Sequence, residues 1–264
     1  MKILKVFLML IVLLFSGSMS SIQVSANNQK VKVLQVGESF DGVQGTTVIQ
    51  NIKSDTVYIY NKKRSKVRFT PESTFKVLNA LIGLQTKAVH DEYEVKRWDG
   101  VLREFEDWNR DHTLASGMRH SVIWYYQEMA RDIGAEDMQK YVNRINYGNR
   151  DISGGIDHFW LDSSIKISAQ EQAHFMENLV EEKLPFDKQH MRTVKRIMIN
   201  EEADSYVLHG KTGTRLSDLG LGWYVGYIET DKGKWVFATN INGSGSKAKT
   251  ITVDVLKELK IINE

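Results

Sequence analysis

The stretch from Thr70 to Leu84, reading TPESTFKVLNALIGL, does most to limit what this chain can become. Between Phe75 and Leu84 only Lys76 and Asn79 are neither apolar nor glycine. A helix of that composition has almost no face to offer water, so it belongs in the middle of the molecule. It nevertheless carries a lysine, and Ser73 stands three residues before it, a spacing that sets both side chains on one helix face. Two readings of the pair stand at this point. In one, Ser73 caps the helix after Pro71 and Lys76 snorkels its ammonium outward. In the other, a hydroxyl beside an amine in a dry place is an activated nucleophile.

The chain opens with an export pattern. Lys2 and Lys5 precede an apolar run from Val6 to Phe15, and Val24-Ser25-Ala26 forms a small-x-small cleavage site. The run is too short for an ordinary membrane-spanning helix, so residues 1–26 are expected to be a signal cleaved after Ala26, a retained anchor being the alternative. The expected product is secreted, with no stable membrane insertion once the signal is gone. There is no cysteine, hence no lipid-attachment cysteine and no disulfide, and the fold must rely on its core. Overall 35 Lys and Arg face 33 Asp and Glu; Lys2 and Lys5 leave with the signal, and the remainder is formally neutral. With no run of five or six basic residues either, a nucleic-acid partner is not expected.

Residues 27–264 are long enough for one large domain or two interleaved lobes. Val31 to Val36, Thr46 to Ile52 and Thr56 to Tyr60 are rich in β-branched and aromatic residues and predict neighbouring antiparallel strands. Apolar spacings of three and four predict helices over Ser116 to Ile133, Asp137 to Ile145, Ser168 to Lys183 and Asp187 to Ile199. Ser168 and Glu171 form a capping box at one of these starts. Strands are predicted again over Tyr206 to His209, Gly222 to Glu229 and Lys234 to Ile241, and an amphipathic helix over Lys249 to Lys260. Strands, helices, then strands make an α+β fold: an antiparallel sheet built from both chain ends, about 27–70 and 200–264, flanked by helices, with a mainly helical lobe at about 71–199. The cleft between sheet and lobe is the expected site.

His209-Gly210-Lys211-Thr212-Gly213-Thr214 follows a predicted strand. On a strand edge it presents an ammonium and a hydroxyl, and Gly213 lets a substrate backbone come close. A Ser-x-x-Lys with a later Lys-Thr-Gly is the signature pair of the penicillin-recognising acyl-transfer enzymes. Between them lies Ser121-Val122-Ile123, placed on a helix, whose third residue is apolar. Ile123 keeps the surroundings of Lys76 dry. Burial can depress a lysine pKa by about 3–5 units, leaving a free amine at neutral pH that can add carbon dioxide.

On these motifs, together with Tyr147-Gly148-Asn149, Phe159-Trp160-Leu161 and Gly222-Trp223-Tyr224-Val225-Gly226, the chain resembles the class D, oxacillin-hydrolysing serine β-lactamases, particularly the forms from Gram-positive bacteria. The likeness covers essentially all of residues 27–264. It implies the penicillin-recognising serine enzyme fold, β-lactam substrates, and no cofactor beyond carbon dioxide or bicarbonate held as a carbamate on Lys76. It implies Ser73 as nucleophile, carboxylated Lys76 as general base, and Trp160 holding the carbamate through its indole N–H. Ser121 and Lys211 relay a proton to the leaving nitrogen, and the N–H groups of Ser73 and Thr214 form the oxyanion hole. Thr212, Gly213 and Thr214 line the substrate, and Ile123 and Leu161 form an apolar lid over the lysine. The resemblance offers no chemical role for Tyr147-Gly148-Asn149.

The chain departs from that pattern twice. Isoleucine at 123 replaces the usual valine, and Ala248 stands where the family has an arginine for the substrate carboxylate, which leaves Lys247 and Lys249 as the expected substitutes. Lysine gives a point charge without the bidentate fit. The seven histidines show no metal-ligand spacing, so no metal is expected. Two other functions share these motifs. A β-lactam-sensing module that stays acylated needs several membrane spans and an effector, and a cell-wall peptidase does not fit the apolar Ile123.

Overall fold

The computed structural model describes residues 30–54 and 56–263. The signal predicted over residues 1–26 lies outside them. The elements in order are β1 (Lys30–Val33), α1 (Gly37–Phe40), β2 (Gly45–Asn51), β3 (Thr56–Tyr60), α2 (Lys76–Thr86), β4 (Val95–Lys96), β5 (His112–Thr113), α3 (Leu114–Arg119), α4 (Ile123–Ile133), α5 (Ala135–Arg144) and α6 (Ala169–Val180). They continue with α7 (Lys188–Ile197), β6 (Ile199–Ala203), β7 (Tyr206–Thr214), β8 (Gly222–Thr230), β9 (Gly233–Ile241) and α8 (Gly245–Glu258). Both chain ends feed one seven-stranded sheet in the order β1-β3-β2-β9-β8-β7-β6.

Six of its strands form an antiparallel run, as the alternation predicts. The exception is β1, which pairs parallel with β3. It does not reach β2 by a hairpin: the chain crosses through α1 first, so β1 ends up outside β3 and running the same way. Its four residues are all exposed, as befits an edge.

Period-two alternation splits the core in two. Val48, Trp223, Val225, Tyr227, Val236 and Ala238 face the helical lobe. Ile49, Tyr224, Ile228, Phe237 and Ile241 face the other way, against Ala248, Ile251, Val255 and Leu256 of α8. The helix predicted from the opening stretch is α2, and it runs through the lobe in contact with α3, α4, α5 and α7. Every residue of it from Lys76 to Leu84 is buried.

Three local expectations are corrected. The segment Ser116 to Ile133 is two helices, because α3 stops at Arg119 and α4 starts at Ile123. Residue 199 begins a strand, β6, rather than ending a helix. The Glu72–Phe75 turn is a tight 3-10 turn leading into α2, not its first α-helical turn. The Ser168–Glu171 capping box at the start of α6 is present as predicted.

Leu81, in the middle of α2, has no exposed surface, whereas Val33 on β1 is 62% exposed. Leu81→Ala is expected to lower unfolding free energy by roughly 2–5 kcal/mol, and Val33→Ala to stay within about 0.5 kcal/mol of the parent. Urea denaturation of the two variants checks this.

Candidate active site

Ser73 lies on the 3-10 turn, where residues three apart eclipse one another. The geometry brings the two side chains of the opening motif together: Lys76 Nζ donates to Ser73 Oγ at 2.8 Å. Lys76 does not snorkel; it is fully buried, 5.5 Å from the centre of the Tyr126 ring. Burial first, and then the positive charge of Lys211, hold its pKa well below that of an ordinary lysine.

Ser121 is not on a helix but in the break between α3 and α4, with φ +56. The Ser121 N–H donates to the Met118 carbonyl at 3.3 Å and the Val122 N–H to the Gly117 carbonyl at 2.9 Å, which closes α3 and swings the serine out of the helical path. Its Oγ accepts from Lys211 Nζ at 2.9 Å. The Lys211 ammonium also donates to the Thr212 carbonyl at 2.9 Å, and burial in β7 lowers its pKa to about 7. The structure therefore holds two serine–lysine pairs. Ser73, Ser121, Thr212 and Thr214 line one cleft of about 150 Å³, with Ile123 beside them.

Gly213 serves a different contact from the one expected. A Cβ there would lie 3.0 Å from the Pro71 carbonyl oxygen and 3.2 Å from Thr74 Cγ2, so the glycine lets β7 pack on the nucleophile turn itself. That turn is held from several sides. The Thr70 carbonyl accepts the Trp223 indole N–H at 2.9 Å, and Thr74 Oγ1 accepts from Gln172 Nε2 at 2.9 Å.

Trp160 is buried, stacked on Phe75 with centroids 5.4 Å apart, and its indole N–H has no hydrogen-bond partner. A buried donor left unpaired costs about 1–3 kcal/mol. Leu161 and Ile123 line a second compartment of about 420 Å³, together with Glu72, Gln127, His158, Asp162, Thr214, Leu216 and Ser217.

Tyr147-Gly148-Asn149 acquires a role here. Gly148 has φ +53 and its Cα passes so close to the 164–167 segment that a Cβ would lie 2.0 Å from the Lys166 carbonyl oxygen. Asn149 donates from its backbone N–H to that same oxygen at 2.9 Å, accepts the Lys166 N–H at 2.8 Å, and gives its amide to the Ser164 carbonyl at 2.8 Å. The motif fastens the chain that follows Trp160.

Lys247 and Lys249 are not among the residues lining either compartment. Lys249 Nζ lies 6.0 Å from the centre of the Tyr224 ring, and Ala248 is buried in the core on that same side of the sheet. Lys249 thus extends along the face of the sheet that packs on α8. Sequence reasoning also missed residues that do line the cleft, Phe105, His120 and Leu216, whereas Trp108 is the wall of core or cleft that its sequence suggests. Exposed Phe105 and Leu216 carry no periodic signal that marks them. Glu72 was quoted only as part of a motif, yet it is 2% exposed and its pKa is pushed up to about 7, chiefly by burial.

A sheet-and-helix fold with Ser-x-x-Lys under a Lys-Thr-Gly strand defines a serine acyl-transfer enzyme. The family model for the penicillin binding protein transpeptidase domain matches residues 20–259. The chain is 59% identical to the probable beta-lactamase YbxI of Bacillus subtilis (strain 168), over 88% of this chain and 87% of that protein. It is 42% identical to beta-lactamase OXA-48 of Klebsiella pneumoniae, over 83% and 84%. The solved structure of class D beta-lactamase BAT-2 is similar with a TM-score of 0.86 at 60% identity, covering 88% of this chain and 98% of that one. The chain belongs to the class D serine β-lactamases.

Gly148→Ala is expected to cost at least about 2 kcal/mol, from the left-handed backbone and the clash with Lys166 together. The check is a lower urea midpoint with an unchanged dependence on urea.

Proposed function

We propose that this chain hydrolyses the ring amide of penicillin-type β-lactams through an ester on Ser73. The observation that carries the reading is the 2.8 Å contact between Ser73 Oγ and a fully buried amine whose pKa is strongly lowered. Carboxylated Lys76 would be the base in both half-reactions, and without the carbamate the neutral amine at that distance can still take the hydroxyl proton, which a solvated ammonium cannot. As Ser73 Oγ bonds to the lactam carbonyl carbon, the N–H groups of Ser73 and Thr214 receive the developing oxyanion. The carbon–nitrogen bond then breaks. The leaving nitrogen takes its proton from Ser121 Oγ, which Lys211 Nζ resupplies across 2.9 Å.

The remaining ester needs an activated water, and the residues here suit a carbamate on Lys76. Lys76 offers an unprotonated amine to carbon dioxide, and Trp160 offers a buried, unpartnered N–H to hold the anion. When present, that group supplies a basic oxygen where the lysine alone has only nitrogen. Ile123 and Leu161 give the second compartment an apolar wall. Among the described residues no group of three or more potential ligands is placed to hold a metal ion, and no helix is long and apolar enough to cross a membrane. Export with cleavage after Ala26 completes the proposal, on the strength of the sequence pattern; a secreted protein whose N-terminus is Asn27 is the expected finding.

Ser73→Ala is expected to abolish penicillin labelling, seen as an unshifted intact mass, and to lower hydrolysis by on the order of 10⁴-fold or more. Label on another residue, or full activity, would refute the assignment. The pH dependence has a definite sign. Lys76 must be neutral to react with carbon dioxide, and its pKa is depressed, so the competent form persists to lower pH than in an ordinary lysine and is lost as pH falls through the lowered value. Activity should fall on acidification and recover in part with added bicarbonate. Trp160→Phe should still acylate but turn over roughly 10- to 100-fold more slowly, the scale of a lost hydrogen bond to a charged group. Carbon-13 bicarbonate that gives no carbamate signal in active protein would overturn this part of the mechanism.

A further inference from the structure

Glu72 immediately precedes the nucleophile and has no part in the chemistry above. Its side chain is buried, a costly place for an acid unless donors hold it. Its backbone has φ +51, a left-handed conformation that a residue with a Cβ keeps only when its surroundings fix it. Three hydrogen bonds do so. The Glu72 N–H donates to the Trp160 carbonyl at 3.0 Å. Glu72 Oε1 accepts the Asp162 N–H at 3.0 Å and the Thr70 hydroxyl at 2.6 Å.

Two of these bonds join the nucleophile turn to the loop that carries Trp160 and Leu161. The near side is anchored in the sheet, since Trp223 of β8 holds the Thr70 carbonyl. On the far side Asp162 has φ +46, so the chain turns sharply there. The Asp162 carboxylate meets Ser217 Oγ at 3.0 Å and Arg215 Nη1 at 3.6 Å. Phe75 supports the face of the Trp160 ring, but among the described contacts it is Glu72 that binds the backbone on both sides of Leu161.

We propose that Glu72 is a positioning residue for the second half of the reaction: its Oε1 clamps the 160–162 loop to the Ser73 turn and so keeps the Trp160 indole N–H and the Leu161 wall in place. The inference rests on the function proposed above. It separates the two half-reactions. Attack on the lactam uses Ser73, Lys76, Ser121 and Lys211, and the Glu72 carboxylate hydrogen-bonds to none of them; its charge raises the Lys76 pKa, an effect that Gln and Met remove alike, and the backbone bond from Glu72 to Trp160 survives any side-chain change. Water activation depends on Trp160 and Leu161, which the clamp holds.

The test is a matched pair in the full exported protein. Glu72→Gln keeps an oxygen that accepts both hydrogen bonds, while Glu72→Met keeps the bulk and the backbone strain but accepts neither. Acylation and deacylation rates are measured separately with benzylpenicillin, by rapid mixing and by the mass of the acyl-enzyme over time. The Met variant should acylate within about threefold of the parent but deacylate at least about tenfold more slowly, the scale of a lost hydrogen bond to a charged group. The Gln variant should restore deacylation to within about threefold. The clamp is refuted if the Met variant deacylates at the parental rate, if Gln and Met are equally slow, or if both rates fall by one common factor. Should the Met variant not fold, Thr70→Val removes one of the two donors to Oε1 and should show the same selective loss in smaller measure; an unchanged deacylation rate there overturns the proposal. A parent that forms no Ser73 ester overturns the proposed function and this inference with it. A parent that turns over while the Met variant is indifferent overturns only the clamp.

Discussion

An amine kept away from water is the condition on which the rest of this molecule depends. Lys76 has no exposed surface, and each unit by which burial lowers its pKa represents about 1.4 kcal/mol against the charged form. The chain sustains that penalty because α2 is enclosed by helices on several sides and the sheet carries a core on each face. Lys211 adds to the effect. Its own ammonium, buried with a pKa near 7, disfavours a second positive charge on Lys76. The same dryness thus disfavours the charged form of two neighbouring lysines, one beside each serine.

Holding those pairs in register falls to contacts that carry no charge. The nucleophile turn is tied to β8 by the Trp223 indole, to α6 by Gln172, and to β7 by the absence of a side chain at Gly213. The segment behind Trp160 is tied down by Asn149. Motifs that looked like a catalogue of family markers are therefore mostly scaffold: they lock the turn with Ser73, the strand with Lys211 and the loop with Trp160 against one another. Such locking matters because displacements of about 1 Å at a reacting centre can cost two orders of magnitude in rate.

What the sequence revealed follows from the range of the interactions involved. The burial of α2, the capping box at Ser168 and the run of strands from Tyr206 to Ile241 are written in local composition and period, and all three are found. The break at Ser121 is not local. Apolar spacing runs unchanged through residues 116 to 133, and the turn within it presents Ser121 to Lys211, 90 positions later in the chain. The direction of β1 was missed for a similar reason, since strand composition does not encode which neighbour a strand will pair with. Lys247 and Lys249 were chosen by alignment beside Ala248. The residues flanking a helical core position cannot both be assigned to a cleft without knowing the rotation of α8, and Lys249 extends toward Tyr224 instead. Phe105 and Leu216 reach the cleft from loops, where no period exists to announce them.

The unpaired indole of Trp160 joins the scaffold to the chemistry. Its ring is enclosed by Phe75 and Phe159, which exclude water, so a single N–H···O⁻ contact made there would be stronger than the same contact in solvent. That advantage exists only while the ring keeps its place, because an apolar shell supplies no alternative partner if it shifts. A solvated site could exchange one hydrogen bond for another with water; this one cannot. On the proposed mechanism, the dryness that frees the lysine for carbon dioxide also makes the product of that reaction sensitive to small movements of one loop. A strained, buried glutamate beside the nucleophile, bonded to that loop on both sides of Leu161, is the kind of support such a site requires.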